Sequence, residues 1–188
     1  SARDLGVIVT ENLSWTQHIN HISNKGRQMA AWTLSVFRDR STATMLTLYK
    51  SMVRSVLEYC CPLWDPNKKQ DIHTLESVQR TYTSKISAVK HLNYWERLKA
   101  LKLQSLQRRR ERYIIINIWK ILQGISPNDL NIEFHYNIRT GIKCKIPKLT
   151  SPNSRHQTLY DNSFAVKGPK LWNVLPCYLT TITEIHPF

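Results

Sequence analysis

The sequence predicts a mainly α-helical protein, in which a helical bundle follows one short strand and precedes a smaller, irregular α+β part. Apolar side chains recur at three- and four-residue steps through most of the chain up to Gly124, which is the spacing of one helix face. Capping and breaking residues stand where these patterns begin and end. Beyond Gly124, Pro and Asn residues divide the chain into short β-like pieces.

The first two elements are a strand and a long helix. Residues 4–10 form a β-branched run that predicts a strand. Ser14 precedes Gln17 by three residues, which is the spacing of a helix N-cap with a capping box. We therefore expect a helix over residues 15–37. Its apolar face contains Trp15, Ile19, Ile22, Gly26, Met29, Thr33 and Phe37.

Three further helices are expected before residue 102. Ser41 and Thr42 cap the second, which has an apolar stripe as far as Cys60 and ends before Pro62. The third is predicted near residues 69–86. Asn93 is a good N-cap for a short fourth helix over residues 94–101.

The fifth helix, over residues 105–123, has apolar side chains on two sides. Its main inward face holds Leu106, Arg110, Tyr113, Asn117 and Ile121, and the opposite face holds Arg108, Arg112, Ile115 and Trp119. A helix with two apolar sides packs on both or meets a partner with the second. Since Arg110 points inward, we expect it to form a buried ion pair with Glu96, Glu76 or Glu58.

The remaining residues predict short pieces of structure. β-like segments are expected over 132–138, 142–146 and 157–160, and one last helix over 165–173. The four cysteines are Cys60, Cys61, Cys144 and Cys177. They are too few for a disulfide framework and lack zinc-ligand spacing, so we expect reduced, mostly buried thiols in an intracellular protein.

Positive charge is the strongest signal in the composition. The chain has 27 Lys and Arg against 13 Asp and Glu, a net charge of +14. A surface of this kind attracts polyanions, because neutralising phosphates releases condensed counterions. Nucleic acid is the expected partner, and a basic domain without such a partner is the alternative. No segment is long and apolar enough to predict a membrane span.

Catalytic motifs are missing from the sequence. There is no D-D pair, no D-x-D, no phosphate-binding P-loop and no G-x-S-x-G elbow. His18 and His21 stand three residues apart and could share a metal, but no carboxylate or Cys joins them at ligand spacing, and His18 lies near the apolar face. From its own residues, the chain is not an enzyme.

Basic residues give better candidates for a binding site. On the first helix, His21, Lys25 and Gln28 lie with Trp32 on a polar flank beside the apolar stripe. Arg38 and Arg40 follow at the end of that helix. Such a flank can lie against a nucleic-acid groove. Arg108 and Arg112, beside Trp119, suit a phosphate-and-base platform, although a solvated helix face has the same pattern.

Five segments resemble LINE-type, non-LTR retrotransposon reverse transcriptases of the Jockey-like branch. DLGVIVTENLSWTQHI (4–19) is similar to the end of the palm and the start of the thumb. LYKSMVRSVLEYCCPLWDP (48–66) and LESVQRTYTSKI (75–86) resemble the next two thumb helices. RLKALKLQSLQRRR (97–110) and FAVKGPKLWNVLP (164–176) resemble the C-terminal region.

The resemblance implies a division of the chain and a role. Residues 1–13 would end the palm, 14–90 would form a thumb-like helical bundle, and 91–188 would form the C-terminal helical and mixed region. The family is an RNA-directed DNA polymerase that depends on Mg²⁺, and its catalytic aspartates lie upstream of the matched region. The chain is thus expected to be a non-catalytic fragment that needs no cofactor of its own and grips the template–primer duplex.

The resemblance also implies partners and a location. These are RNA and DNA, the upstream palm, fingers and endonuclease of the same polyprotein, and the nucleus or a cytoplasmic ribonucleoprotein. Two alternatives remain open. One is a stand-alone nucleic-acid-binding protein recruited from such an element, and the other is a protein-interaction module that docks a partner on the face of Ile115 and Trp119.

Overall fold

The computed structural model describes residues 1–12, 14–147, 160 and 163–182. In these residues the protein is mainly α-helical and contains two antiparallel two-stranded sheets, which confirms the predicted fold class. The chain divides into two compact units, Ser1–Arg110 and Glu111–Phe188. The functional division at residues 13 and 90 that the resemblance implies stays a prediction.

The first unit opens with a β-hairpin instead of a single strand. Strand β1 (Ala2–Asp4) pairs antiparallel with β2 (Val7–Val9), and Arg3 lies opposite Ile8. The prediction of one strand over residues 4–10 was therefore wrong at its start. Leu5 and Gly6 have φ angles of +43° and +86°, and two consecutive positive φ angles form the tight turn that reverses a two-residue hairpin.

Helix α1 (Thr16–Val36) follows the predicted bounds within one residue at each end. Its N-cap is Trp15, with no side-chain cap, so the predicted capping role of Ser14 was wrong. The Ser14 amide and carbonyl are instead bonded to the Thr10 hydroxyl. Gly26 is buried, and a Cβ there would lie 2.8 Å from Leu57 Cδ2. The missing side chain therefore lets α1 approach the next helical segment closely.

The next segment is one helical stretch with a wide turn in the middle. It consists of α2 (Thr42–Leu48), a π-helical turn (Tyr49–Val53) and α3 (Arg54–Glu58). The Ser41 hydroxyl accepts from the Thr44 amide, as the predicted N-cap should. The stretch ends at Glu58, so Cys60, which is exposed with a φ of +52°, lies outside the predicted apolar stripe.

Helix α4 (Lys69–Thr83) and helix α5 (Tyr94–Ala100) are joined through a 3₁₀ turn (Ser87–Val89). Asn93 caps α5 as predicted: its side chain accepts from the Glu96 amide, while the Glu96 carboxylate accepts from the Asn93 amide. The core of the first unit lies among α1, the 42–58 stretch and α4. Its fully buried side chains include Ile19, Met45, Tyr49, Val53, Leu57, Trp64, Leu75 and Tyr82.

Helix α6 (Leu106–Leu122) carries the buried Arg110 that the sequence predicts. Its partner is Asp65, with Arg110 Nε 3.0 Å from Asp65 Oδ1, and not one of the three predicted glutamates. Further along α6 the buried residues are Ile114 and Ile118, which corrects the predicted inward positions of Tyr113 and Asn117.

The second unit packs a hairpin against two helices. Strands β3 (Phe134–Asn137) and β4 (Gly141–Cys144) are antiparallel, and α7 (Phe164–Asn173) and α8 (Cys177–Thr180) follow. The core of this unit holds Ile118, Ile132, Cys144 and Trp172. The predicted strands and the last helix are thus confirmed, and the piece predicted at 157–160 falls largely outside the described residues.

Two sequence-based expectations concern thiols and membranes. All four cysteines are free; Cys61 and Cys144 are buried, Cys177 is half-buried and Cys60 is exposed. Burial raises the pKa of the Cys61 and Cys144 thiols to about 12, so both are poor nucleophiles at neutral pH. Within the part of the chain that the structure describes, no helix is long and apolar enough to cross a bilayer.

Candidate nucleic-acid interface

A cleft of about 360 Å³ lies in the first unit, lined by the β1–β2 hairpin, α1 and the end of α3. We call it the basic cleft. Its walls include two cationic side chains, two histidines, two hydroxyl groups and a few apolar groups, and none of the described residues that line it is acidic. The polar residues are Arg3, His18, His21, Lys25, Ser55 and Tyr59.

Two hydrogen bonds hold the hairpin against the helices and so form the cleft. The Tyr59 hydroxyl donates to the carbonyl oxygen of Leu5 at 3.1 Å, at the hairpin turn. The Ile8 amide donates to His18 Nδ1 at 3.3 Å, on the first turns of α1. The positive-φ turn at Leu5 and Gly6 thus places Arg3 beside the basic residues of α1.

His18 is the buried histidine of this cleft. Its side chain is 1% exposed, and because Nδ1 accepts a hydrogen bond, the neutral ring carries its proton on Nε2. Burial lowers the pKa of His18, and the positive charges of His21 and Arg3 lower it further. The lowered pKa keeps His18 neutral at neutral pH, so the exposed Arg3 and Lys25 supply the positive charge of the cleft.

Helix α1 continues the positive surface away from the cleft. None of its 21 residues is acidic. Exposed side chains recur along one side of the helix, and we call this row the α1 stripe: His21, Lys25, Gln28, Trp32, Ser35 and Val36. The structure thus places three predicted binding residues, His21, Lys25 and Gln28, on one exposed face.

The two arginines after α1 have different surroundings. Arg38 is exposed, and no hydrogen bond or ion pair joins its side chain to the described residues. Arg40 is half-buried; it donates from Nη2 to the carbonyl oxygen of Leu34 and from Nη1 to the sulfur of Met45 at 3.8 Å. Arg40 therefore fastens the end of α1, while Arg38 is available to a ligand.

The residues of the second predicted platform, on α6, differ in exposure. Arg108 is exposed in the first unit. In the second unit, Arg112 is half-buried, and Trp119 packs against the core and donates from Nε1 to the carbonyl oxygen of Ile182 at 2.8 Å. Ile115 packs on the same core. The second apolar face of this helix thus packs against its own unit and stays partly exposed.

Sequence reasoning missed three residues of the basic cleft: Arg3, Ser55 and Tyr59. Arg3 joins the site only because the chain reverses at Leu5 and Gly6, and Leu-Gly is a weak hairpin signal compared with Asn-Gly. Tyr59 follows the last residue of α3 and carries no periodic pattern.

Among the described residues, no group of three or more His, Cys, Asp or Glu is placed to hold a metal ion. No third ligand of these types therefore joins His18 and His21.

Comparison with known proteins finds a distant relative. An uncharacterized protein of Caenorhabditis elegans is 26% identical over 178 residues, which covers 92% of this chain and 86% of the relative. No protein-family model matches the chain. No solved structure matches it either.

Proposed function

We propose that the chain is the thumb and C-terminal region of a LINE-type, Jockey-like reverse transcriptase, and that it grips template–primer nucleic acid without taking part in catalysis. One observation carries the gripping role: α1 has no acidic residue, and its exposed side joins the basic cleft through His21 and Lys25. The five similar segments support the family. The partners on this proposal are RNA and DNA, with the palm, fingers and endonuclease of the same polyprotein, in the nucleus.

The proposed contacts are to phosphates. Lysine and arginine donors on one helix side fix the register of a protein on a nucleic acid but carry little sequence information. Binding should therefore discriminate poorly between sequences and weaken with salt, because each neutralised phosphate releases counterions.

A salt titration tests this role. We would measure the affinity of the wild type and of the Arg3→Ala/Lys25→Ala/Arg38→Ala variant for an RNA–DNA hybrid at several salt concentrations. Since the log–log slope is about −0.9 per phosphate on duplex DNA, losing three cations should reduce its magnitude by about 2 to 3. Arg40 is left in place because it holds the end of α1.

The matched control removes three exposed lysines from other elements, in the Lys85→Ala/Lys90→Ala/Lys99→Ala variant. It loses the same net charge, so a face-specific grip predicts a much smaller change of slope. Equal changes in the two variants would show that binding is nonspecific attraction to the whole surface. A wild type that binds no hybrid at low salt would overturn the proposed function.

The protein-interaction alternative gains no support from the described residues. It depended on an uncovered face at Ile115 and Trp119, and both side chains pack partly against the core of the second unit.

A further inference from the structure

Trp32 is an exposed aromatic side chain in the middle of a basic helix side. It is 47% exposed and lies two turns beyond Lys25 on the α1 stripe. Its ring meets that of Phe37 edge to face, with centroids 6.2 Å apart and an interplanar angle of 80°. This contact covers part of the indole and leaves the rest of it open to solvent.

The surroundings of Trp32 select the kind of ligand. Lys25 and Gln28 precede it on the stripe, Arg38 follows the helix, and α1 supplies no carboxylate. An apolar protein segment would gain Trp32, Val36 and the half-buried Phe37 here, but it would also cover the donors of Lys25 and Gln28 without offering them an acceptor. A nucleotide uses both the cations and the exposed ring, because its phosphate pairs with cations while its base stacks on an aromatic face.

Base pairing determines which form of nucleic acid can stack on Trp32. Inside a duplex both faces of each base are covered by neighbouring base pairs, whereas unpaired bases can be splayed out and stacked on aromatic side chains. A tryptophan on a helix surface therefore has no base face to contact along a continuous duplex.

We propose that Trp32 is a stacking site for an unpaired nucleotide, so that α1 binds the junction between a duplex and a single-stranded overhang in preference to a blunt duplex. This inference rests on the proposed function and deepens it. His21 and Lys25 contact phosphates of the paired part, and Trp32 stacks on a base of the overhang about 16 Å away from His21, given a rise of about 1.5 Å per residue.

The test compares overhangs with and without bases. The probes are a labelled RNA–DNA hybrid with a three-nucleotide overhang, the same hybrid with a three-residue abasic overhang, and the blunt hybrid. The two overhangs have equal numbers of phosphates, so any difference in the dissociation constant reports on the bases. We expect the wild type to prefer the base-bearing overhang over the abasic one by about 5-fold to about 150-fold.

Substitutions of Trp32 test whether its ring causes that preference. Trp32→Ala should bind the two overhangs equally, and Trp32→Phe should keep part of the preference because a phenyl ring still stacks. Trp95→Ala is the matched control, since Trp95 is 64% exposed and lies on α5. It should behave as the wild type.

The outcomes separate this inference from the proposed function. A wild type that binds all three probes equally, with salt dependence, would overturn the stacking site and leave the phosphate grip standing; Trp32 would then be a candidate contact for protein. A preference that survives in Trp32→Ala would also overturn it. A wild type that binds no probe at low salt would overturn both.

Discussion

Replacing Arg110 by alanine should destabilise the protein far more than replacing its near neighbour Arg108. The Arg110 side chain is 1% exposed and its Nε lies 3.0 Å from Asp65 Oδ1, in a carboxylate that is itself buried. Removing one partner of a buried ion pair leaves an uncompensated charge and costs about 3–5 kcal/mol. That is a large part of the about 5–15 kcal/mol by which domains are stable.

The Arg110 guanidinium is only partly hydrogen-bonded, which leads to a further expectation for Asp65. Its Nη1 and Nη2 are buried and make no hydrogen bond with the described residues. The guanidinium therefore has few hydrogen bonds to lose in an Arg110 variant. Most of the expected cost comes from the buried Asp65 carboxylate, which loses its cationic partner. Asp65→Asn should therefore destabilise the wild type, and it should restore part of the stability of Arg110→Met by removing that charge.

Thermal denaturation followed by circular dichroism measures both effects. For a chain of this size, 3–5 kcal/mol corresponds to a fall in Tm of about 6 to 20 °C. Arg108→Ala, an exposed control on the same helix, should change the free energy of unfolding by no more than about 0.5 kcal/mol. Equal small effects at Arg110 and Arg108, or an Asp65→Asn effect with the same sign in both backgrounds, would refute the reasoning.

Three further predictions concern other polar groups. Asn93→Ala should lower the free energy of unfolding by about 1 kcal/mol because it removes the cap of α5, whereas Asn93→Ser should lower it less in the same urea titration. Tyr94→Phe should cost about 1–3 kcal/mol, since the buried Glu76 carboxylate loses the hydroxyl that donates to it; the exposed Tyr178→Phe is the control. The lowered pKa of His18 means that the unfolded chain takes up a proton more readily than the folded one as the pH falls below about 6.5. Stability should therefore decrease between pH 7.5 and 5.5, and this decrease should be smaller in His18→Gln.

Periodicity predicted which helices exist, but it did not identify the partner of a buried side chain when that partner lies in a loop. Burial of Arg110 follows from its place on the apolar face of α6, but Asp65 lies in a loop beyond Pro62 where no pattern applies. The three glutamates expected to pair with Arg110 have other partners. Glu58 binds Arg109, Glu76 accepts from the Leu106 amide and the Tyr94 hydroxyl, and Glu96 completes the capping box of α5.

The candidate site was predictable only in its helical half. His21, Lys25 and Gln28 share one side of α1 because helix geometry places residues three and four apart together. Arg3 and Tyr59 reach the basic cleft through a reversal of the chain and a contact between residues 54 positions apart, Tyr59 and Leu5. Such long-range contacts leave no periodic trace in a single sequence. Arg40 is the opposite case, a residue predicted to belong to the site. Only the structure reveals that its guanidinium is bonded to the end of α1.

The π-helical turn at Tyr49–Val53 has a consequence for how this protein tolerates changes of length. In a regular α-helix, Tyr49 and Leu57 would point about 80° apart, since each residue turns the helix by about 100°. The wide turn absorbs roughly one extra residue, which brings Leu57 close to the direction of Tyr49. Both are fully buried, and Leu57 meets Gly26. A one-residue deletion inside this turn converts it to a regular helix with the flanking faces still aligned. A one-residue insertion has no such compensation, so lineages that vary here should lose a residue more readily than they gain one.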